Sequence, residues 1–189
     1  MHFLQKVLHY YWTAVRRNNM CEYQENIIID HARQAIRDVT PPNSSEKNIS
    51  ELTKYSRAII EKWQTLCEND LQIKNAIKVT IWHPKNRELG FSVYDSNKKT
   101  AYELKVSCKN PRNQFYKAIC KALLMNSLPN QGKSIKKLIF MVSSEGEKNL
   151  YGTENGSPGN SLPAQMCQMR KLGFKIKIVK INPIKAANT

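Results

Sequence analysis

The 189-residue chain is 41% hydrophobic, enough for one apolar core and short for two, and carries 30 Lys and Arg against 15 Asp and Glu. Its five cysteines (Cys21, Cys67, Cys108, Cys120 and Cys167) are widely spaced and never form a CxxC pair, which excludes a disulfide framework or a zinc knuckle and fits a reducing, cytoplasmic setting. The charge is lopsided: residues 1–75 hold 10 bases and 9 acids whereas residues 76–189 hold 20 and 6, so +14 of the formal +15 lies in the second part and calls for a polyanion such as nucleic acid.

The N-terminal stretch MHFLQKVLHYYWTAVRR is interrupted by Lys6 and His9, lacks a small-residue cleavage signature and is too short to span a bilayer, so no membrane association is expected. Phe3, Leu4, Val7, Leu8, Tyr11, Trp12 and Val15 recur at helical spacing. The pattern repeats from about Glu22 to Asp38 with Ile28, Ile29, Ala32, Ala35 and Ile36, and ends at Thr40-Pro41-Pro42. A third helix starts where Asn48 can cap it with Glu51 reaching back, and runs to about Glu68 with Ile59, Ile60, Trp63 and Leu66 on one face.

After Asn75 the period becomes two, the mark of half-buried strands. Ala76 to His83, Leu89 to Asp95 and Ala101 to Ser107 read as three strands joined by turns of hairpin length, an antiparallel meander. Asn110-Pro111 breaks the chain, Gln114 to Met125 reads as a helix, and Lys136 to Ser143 as a buried strand reached by a parallel crossover. Glu145 to Ser161, rich in Gly, Asn and Ser, reads as a loop. A short helix, Leu162 to Leu172, leads into a last strand, Phe174 to Ile181. The fold class expected is α/β (α+β with a mixed sheet) in one domain, 1–189: a helical part, 1–75, and a basic mixed-sheet core, 76–189.

One constellation could carry chemistry. Glu103 and Lys105 stand on the polar face of a strand whose other face is Tyr102, Leu104 and Val106. Pairing Asp95 with Thr100 sets those apolar residues opposite Val93, Phe91 and Leu89, and a slip of one residue would put the two sets on opposite faces. In that register Glu88, Glu103 and Lys105 share a face while Asp95 points the other way. Carboxylates converging on one face suit Mg²⁺ or Mn²⁺, and a neighbouring Lys can position a water or offset charge on a phosphate.

At these residues the sequence resembles the PD-(D/E)XK nuclease superfamily, the restriction-endonuclease-like fold. The likeness rests on Glu103-Leu104-Lys105 in the third strand of a helix–strand–strand–strand–helix–strand order over residues 48–143, with Gln114 opening the next helix. It implies metal-dependent phosphodiester hydrolysis, with Glu103 a metal ligand and Lys105 positioning water, and the activity expected is that of a Mg²⁺-dependent DNA endonuclease of restriction type. The first acid of the motif has no Pro-Asp match: Gly90 stands about where it should fall. Register favours Glu88 as the second metal ligand, and looser spacing favours Asp95.

Lys98, Lys99, Lys109, Arg112, Lys117 and Lys121 surround the third strand and the following helix and are expected to contact phosphates. The loop Tyr151 to Asn160 could read base edges. A homodimer is expected for cutting both strands of a duplex. The alternatives are a binding protein of the same fold without activity, a nuclease acting on RNA or branched DNA, or a basic subunit that packs against an acidic protein.

Overall fold

The computed structural model describes residues 22–41, 49–73, 78–80, 88–107, 109–127, 134–151, 162, 169, 171 and 173–181, with the backbone alone at 49–53, 78–80 and 88–89. Helix α1 (22–39) matches the Glu22 to Asp38 expectation, and Ile28, Ile29, Ala32, Ala35 and Ile36 are its buried face. Helix α2 (Ile49–Leu71) begins directly after Asn48; the capping side chains lie outside the described residues, as does the expected helix of Phe3 to Val15. Tyr55, Ile59, Trp63 and Cys67, four apart, form the stripe that meets α1 and the sheet. Trp63 is fully buried, so its indole N–H needs an acceptor, and it donates to the Ile28 carbonyl at 2.9 Å. His31 of α1 meets Asp70 of α2 at 2.7 Å. The helix ends with Gln72 in the left-handed region, at φ 52°.

The remaining elements are β1 (Lys78–Thr80), β2 (Glu88–Gly90), β3 (Val93–Asp95), β4 (Thr100–Lys105), α3 (Pro111–Ser127), β5 (Lys137–Val142), α4 (Ser144–Tyr151) and β6 (Lys175–Lys180). The fold is mixed α/β: β3-β4-β5-β6 form one sheet, antiparallel at β3/β4 and parallel at β4/β5 and β5/β6. The strand–helix–strand step through α3 is thus the parallel crossover that the sequence predicts.

Helices cover both faces of this sheet. Tyr102 and Leu104 of β4 and Ile139 and Met141 of β5 pack with α1 and α2, whereas Ala101 of β4 and Leu138, Phe140 and Val142 of β5 pack with α3 and α4. Burial on both sides is why Leu138 to Val142 is continuously apolar instead of alternating. Phe115 anchors α3 by an edge-on contact with Phe140, centroids 5.3 Å apart. The connection from α3 to β5 is clasped by one side chain: the Asn126 amide donates to the Ile135 carbonyl (3.0 Å) and accepts from its N–H (2.6 Å).

Two sequence expectations are corrected. The meander is not one continuous ladder, because the second strand breaks at Phe91-Ser92. β3 pairs with β4 in the expected register, Asp95 with Thr100 and Val93 with Tyr102, but among the described residues β2 pairs with β1 and not with β4. Phe91 falls in the α3 core while Val93 falls in the α1/α2 core, so the strand reverses its faces across the break. In addition, part of the expected loop is helix α4. Ser143 caps it, its Oγ accepting the Gly146 N–H at 3.0 Å, Glu145 and Glu147 occupy the positive first turn, and Leu150 is its buried anchor. The rest of that loop, and all but Leu162, Met169 and Lys171 of the expected helix after it, lie outside the described residues.

Candidate functional site

Alternation along β4 puts Ala101, Glu103 and Lys105 on the α3 side of the sheet. Lys105 is half-buried, whereas Glu103, 5% exposed, sits in the interior between strand and helix. A carboxylate taken out of water needs donors or a cation. Both come from α3: Gln114 Nε2 donates to Glu103 Oε1 at 2.7 Å and Lys121 Nζ to the same oxygen at 2.8 Å. Gln114 and Lys121 are seven residues apart, two helical turns, and so lie on one face of α3. Between them Ala118, fully buried, lets the helix lie close enough for both side chains to converge.

The Lys121 ammonium has further partners. It donates to the Gly90 carbonyl at 2.7 Å and lies 4.8 Å from the centroid of the Phe91 ring. The break at Phe91-Ser92 is what turns that ring to this side. Glu103 Oε2, by contrast, is buried without a hydrogen-bond partner among the described residues. The carboxylate is therefore divided: one oxygen takes two donors, and the other takes none.

Of the predicted catalytic residues, Asp95 is the one whose side chain is placed away from Glu103. The Lys105 ammonium donates to Ser107 Oγ at 2.8 Å. Asp95 is removed from the Glu103 site, because pairing with Thr100 places it on the α1/α2 side of the sheet, and its Oδ1 accepts the N–H groups of Asn97 and Lys98 at 3.0 and 3.1 Å to close the β3–β4 turn. Its Oδ2 is also buried, with no hydrogen-bond partner among the described residues. The backbone of Glu88 lies two residues before Gly90 and pairs with Thr80 rather than β4, and its side chain is outside the described residues. Among the described residues no three of His, Cys, Asp and Glu gather as a metal cluster.

The expected phosphate contacts do not form one patch around Glu103. Lys98 and Lys99, half-buried, lie in the turn before β4, Lys99 at φ 53°, at the opposite end of that strand from Lys105. Lys109 and Lys117 are exposed. Arg112 instead holds the end of α4, donating from Nε to the Leu150 carbonyl and from a terminal nitrogen to the Tyr151 carbonyl, both at 2.8 Å. Lys121, with its side chain 11% exposed, belongs to the buried pair.

Gln114 and Lys121 as partners of Glu103 are what sequence reasoning missed. Their signal is two polar residues seven apart within the apolar stripe of Phe115, Ala118, Ala122 and Met125. A second buried carboxylate, Glu25 of α1, bonds Lys137 of β5 and, at 2.6 Å, Lys177 of β6. Burial raises its pKa, but the two ammonium groups outweigh that and hold it below the usual carboxylate value.

No helix among the described residues is long and apolar enough to cross a membrane. No protein-family model, curated protein or solved structure was found to match the chain.

Proposed function

We propose that the protein is a Mg²⁺- or Mn²⁺-dependent nuclease that hydrolyses phosphodiester bonds of DNA at Glu103. The observation that carries this reading is the divided carboxylate: buried, held by α3 through one oxygen, and leaving Oε2 with no hydrogen-bond partner among the described residues. A bare carboxylate oxygen is a hard donor of the kind these cations take. Glu103 and Glu88, carried by β2 just before the Gly90 carbonyl, would hold the cation. When bound, such a cation polarises a phosphoryl oxygen and lowers the pKa of a water.

The chain's own residues supply the remainder. Gln114 orients Glu103, and Lys105, steadied by Ser107, is the ammonium on the same face that positions the attacking water and offsets charge on the phosphate. Exposed Lys109 and Lys117 draw the backbone in. Cutting both strands of a duplex requires two such sites, for which a homodimer is the simplest arrangement.

A second reading, binding without cleavage, is favoured by Lys121, which already balances the Glu103 charge at 2.8 Å. Cleavage of supercoiled DNA and of RNA with Mg²⁺ or Mn²⁺ separates the two. Wild type should cut DNA while Glu103→Gln and Lys105→Ala do not. Equal cleavage by all three removes the catalytic assignment, and salt-sensitive binding with no cleavage selects the binder.

A further inference from the structure

We infer that the Lys121 ammonium is a resident counter-cation of the site, which a divalent ion displaces on binding to Glu103. The inference rests on the reading of Glu103 as a metal ligand given above. The surroundings of Nζ are those of a bound cation: a carboxylate oxygen at 2.8 Å, a backbone carbonyl at 2.7 Å and the face of an aromatic ring at 4.8 Å.

That arrangement answers the difficulty of an unmatched buried carboxylate. Without a counter-charge, Glu103 at 6% side-chain exposure would bear the full desolvation penalty of an ion. A metal-free protein needs a positive charge there, and Lys121 provides one on a flexible stem. A divalent ion on the same carboxylate brings two positive centres within a few ångströms, where their repulsion is strong. The tethered ammonium gives way, because the ion contributes the larger charge. Released, Lys121 is free to meet a phosphate at the same place, so cation binding would ready the site for the nucleic-acid backbone.

The test uses Mn²⁺ alone, by titration calorimetry on the full chain. Lys121→Met and Lys121→Gln should each bind Mn²⁺ roughly tenfold tighter than wild type or better, since the competing charge is gone. Glu103→Gln/Lys121→Met should lose binding. Unchanged or weaker affinity in the Lys121 variants overturns the inference, as does binding retained by the double variant. Should the Lys121 variants fail to fold, wild type labelled with ¹⁵N-lysine decides. Mg²⁺ should shift the Lys121 ammonium resonance saturably, and an unmoved resonance overturns the exchange. Cleavage is scored separately. Exchange without cleavage defeats the hydrolytic reading alone, whereas cleavage with unaltered Mn²⁺ affinity in the Lys121 variants defeats the exchange alone.

Discussion

Replacing Lys121 with Met leaves Glu103 as an unmatched charge in the interior, and its cost follows from burial. Side-chain exposures of 11% for Lys121 and 6% for Glu103 place this pair where removing one partner destabilises by about 3–5 kcal/mol. The exposed pair Arg57–Glu61 has the same 2.8 Å separation, but its side chains are 91% and 59% exposed, and water and salt screen it so that breaking it should leave stability nearly unchanged. Distance alone cannot separate the two pairs; solvent does. Removing both charges in Glu103→Leu/Lys121→Met should restore most of the loss, because an apolar pair of similar volume is commonly no less stable than a buried ion pair. Urea unfolding of wild type, both single variants and the double variant, in EDTA, yields the coupling, read from midpoints at constant slope. A Lys121→Met loss below about 1 kcal/mol, the range of surface pairs, would refute the picture of a dry, mutually dependent pair.

Three other outcomes are expected. The Glu25 carboxyl is held below its usual value of 4.5, so its contribution is full above that pH and is lost as pH falls through the lower folded-state value. The difference in melting temperature between wild type and Glu25→Gln should accordingly be constant near neutrality and shrink in acid, and a difference independent of pH would contradict the clamp. Burial and the Asp70 charge push the Cys67 thiol up to about 12, so site-resolved mass spectrometry should find exposed Cys120 alkylated in the native protein long before Cys67. Arg112→Met should lower thermal stability by loosening the end of α4 while leaving the salt slope of DNA binding unchanged; Lys117→Met should reverse that pattern.

Periodicity carried helix α1 and strand β4, which repeat their apolar residues over enough turns or pleats to declare a face, whereas β5 was legible as an unbroken apolar run. It failed where one residue changes the geometry. The break at Phe91-Ser92 leaves the alternation Leu89, Phe91, Val93 intact in the sequence, yet sends Phe91 and Val93 to opposite cores. Helix α4 was hidden by a composition of Gly, Asn and Ser, although Ser143 with Glu145 and Glu147 behind it is an N-terminal signal. At the site, Glu103 stood out because an acid is rare in this part of the chain. Its nearest lysine in sequence, Lys105, bonds Ser107, and its nearest in space, Lys121, comes from α3. The rotation of a helix about its axis over a strand is set by packing across the whole interface, here through Phe115 and Ala118, and no local pattern encodes it.

The Asn126 clasp has a consequence for how this molecule could change. By bonding both backbone groups of Ile135, one amide joins the ends of the connection into β5 whatever chain runs between them. Lengthening that stretch then acts only on a closed loop, where each doubling costs roughly 0.6 kcal/mol. The first residue of β5 stays seated, and with it the strand's alignment beside Glu103. An inserted module could be carried at that position as cargo, leaving the carboxylate centre untouched.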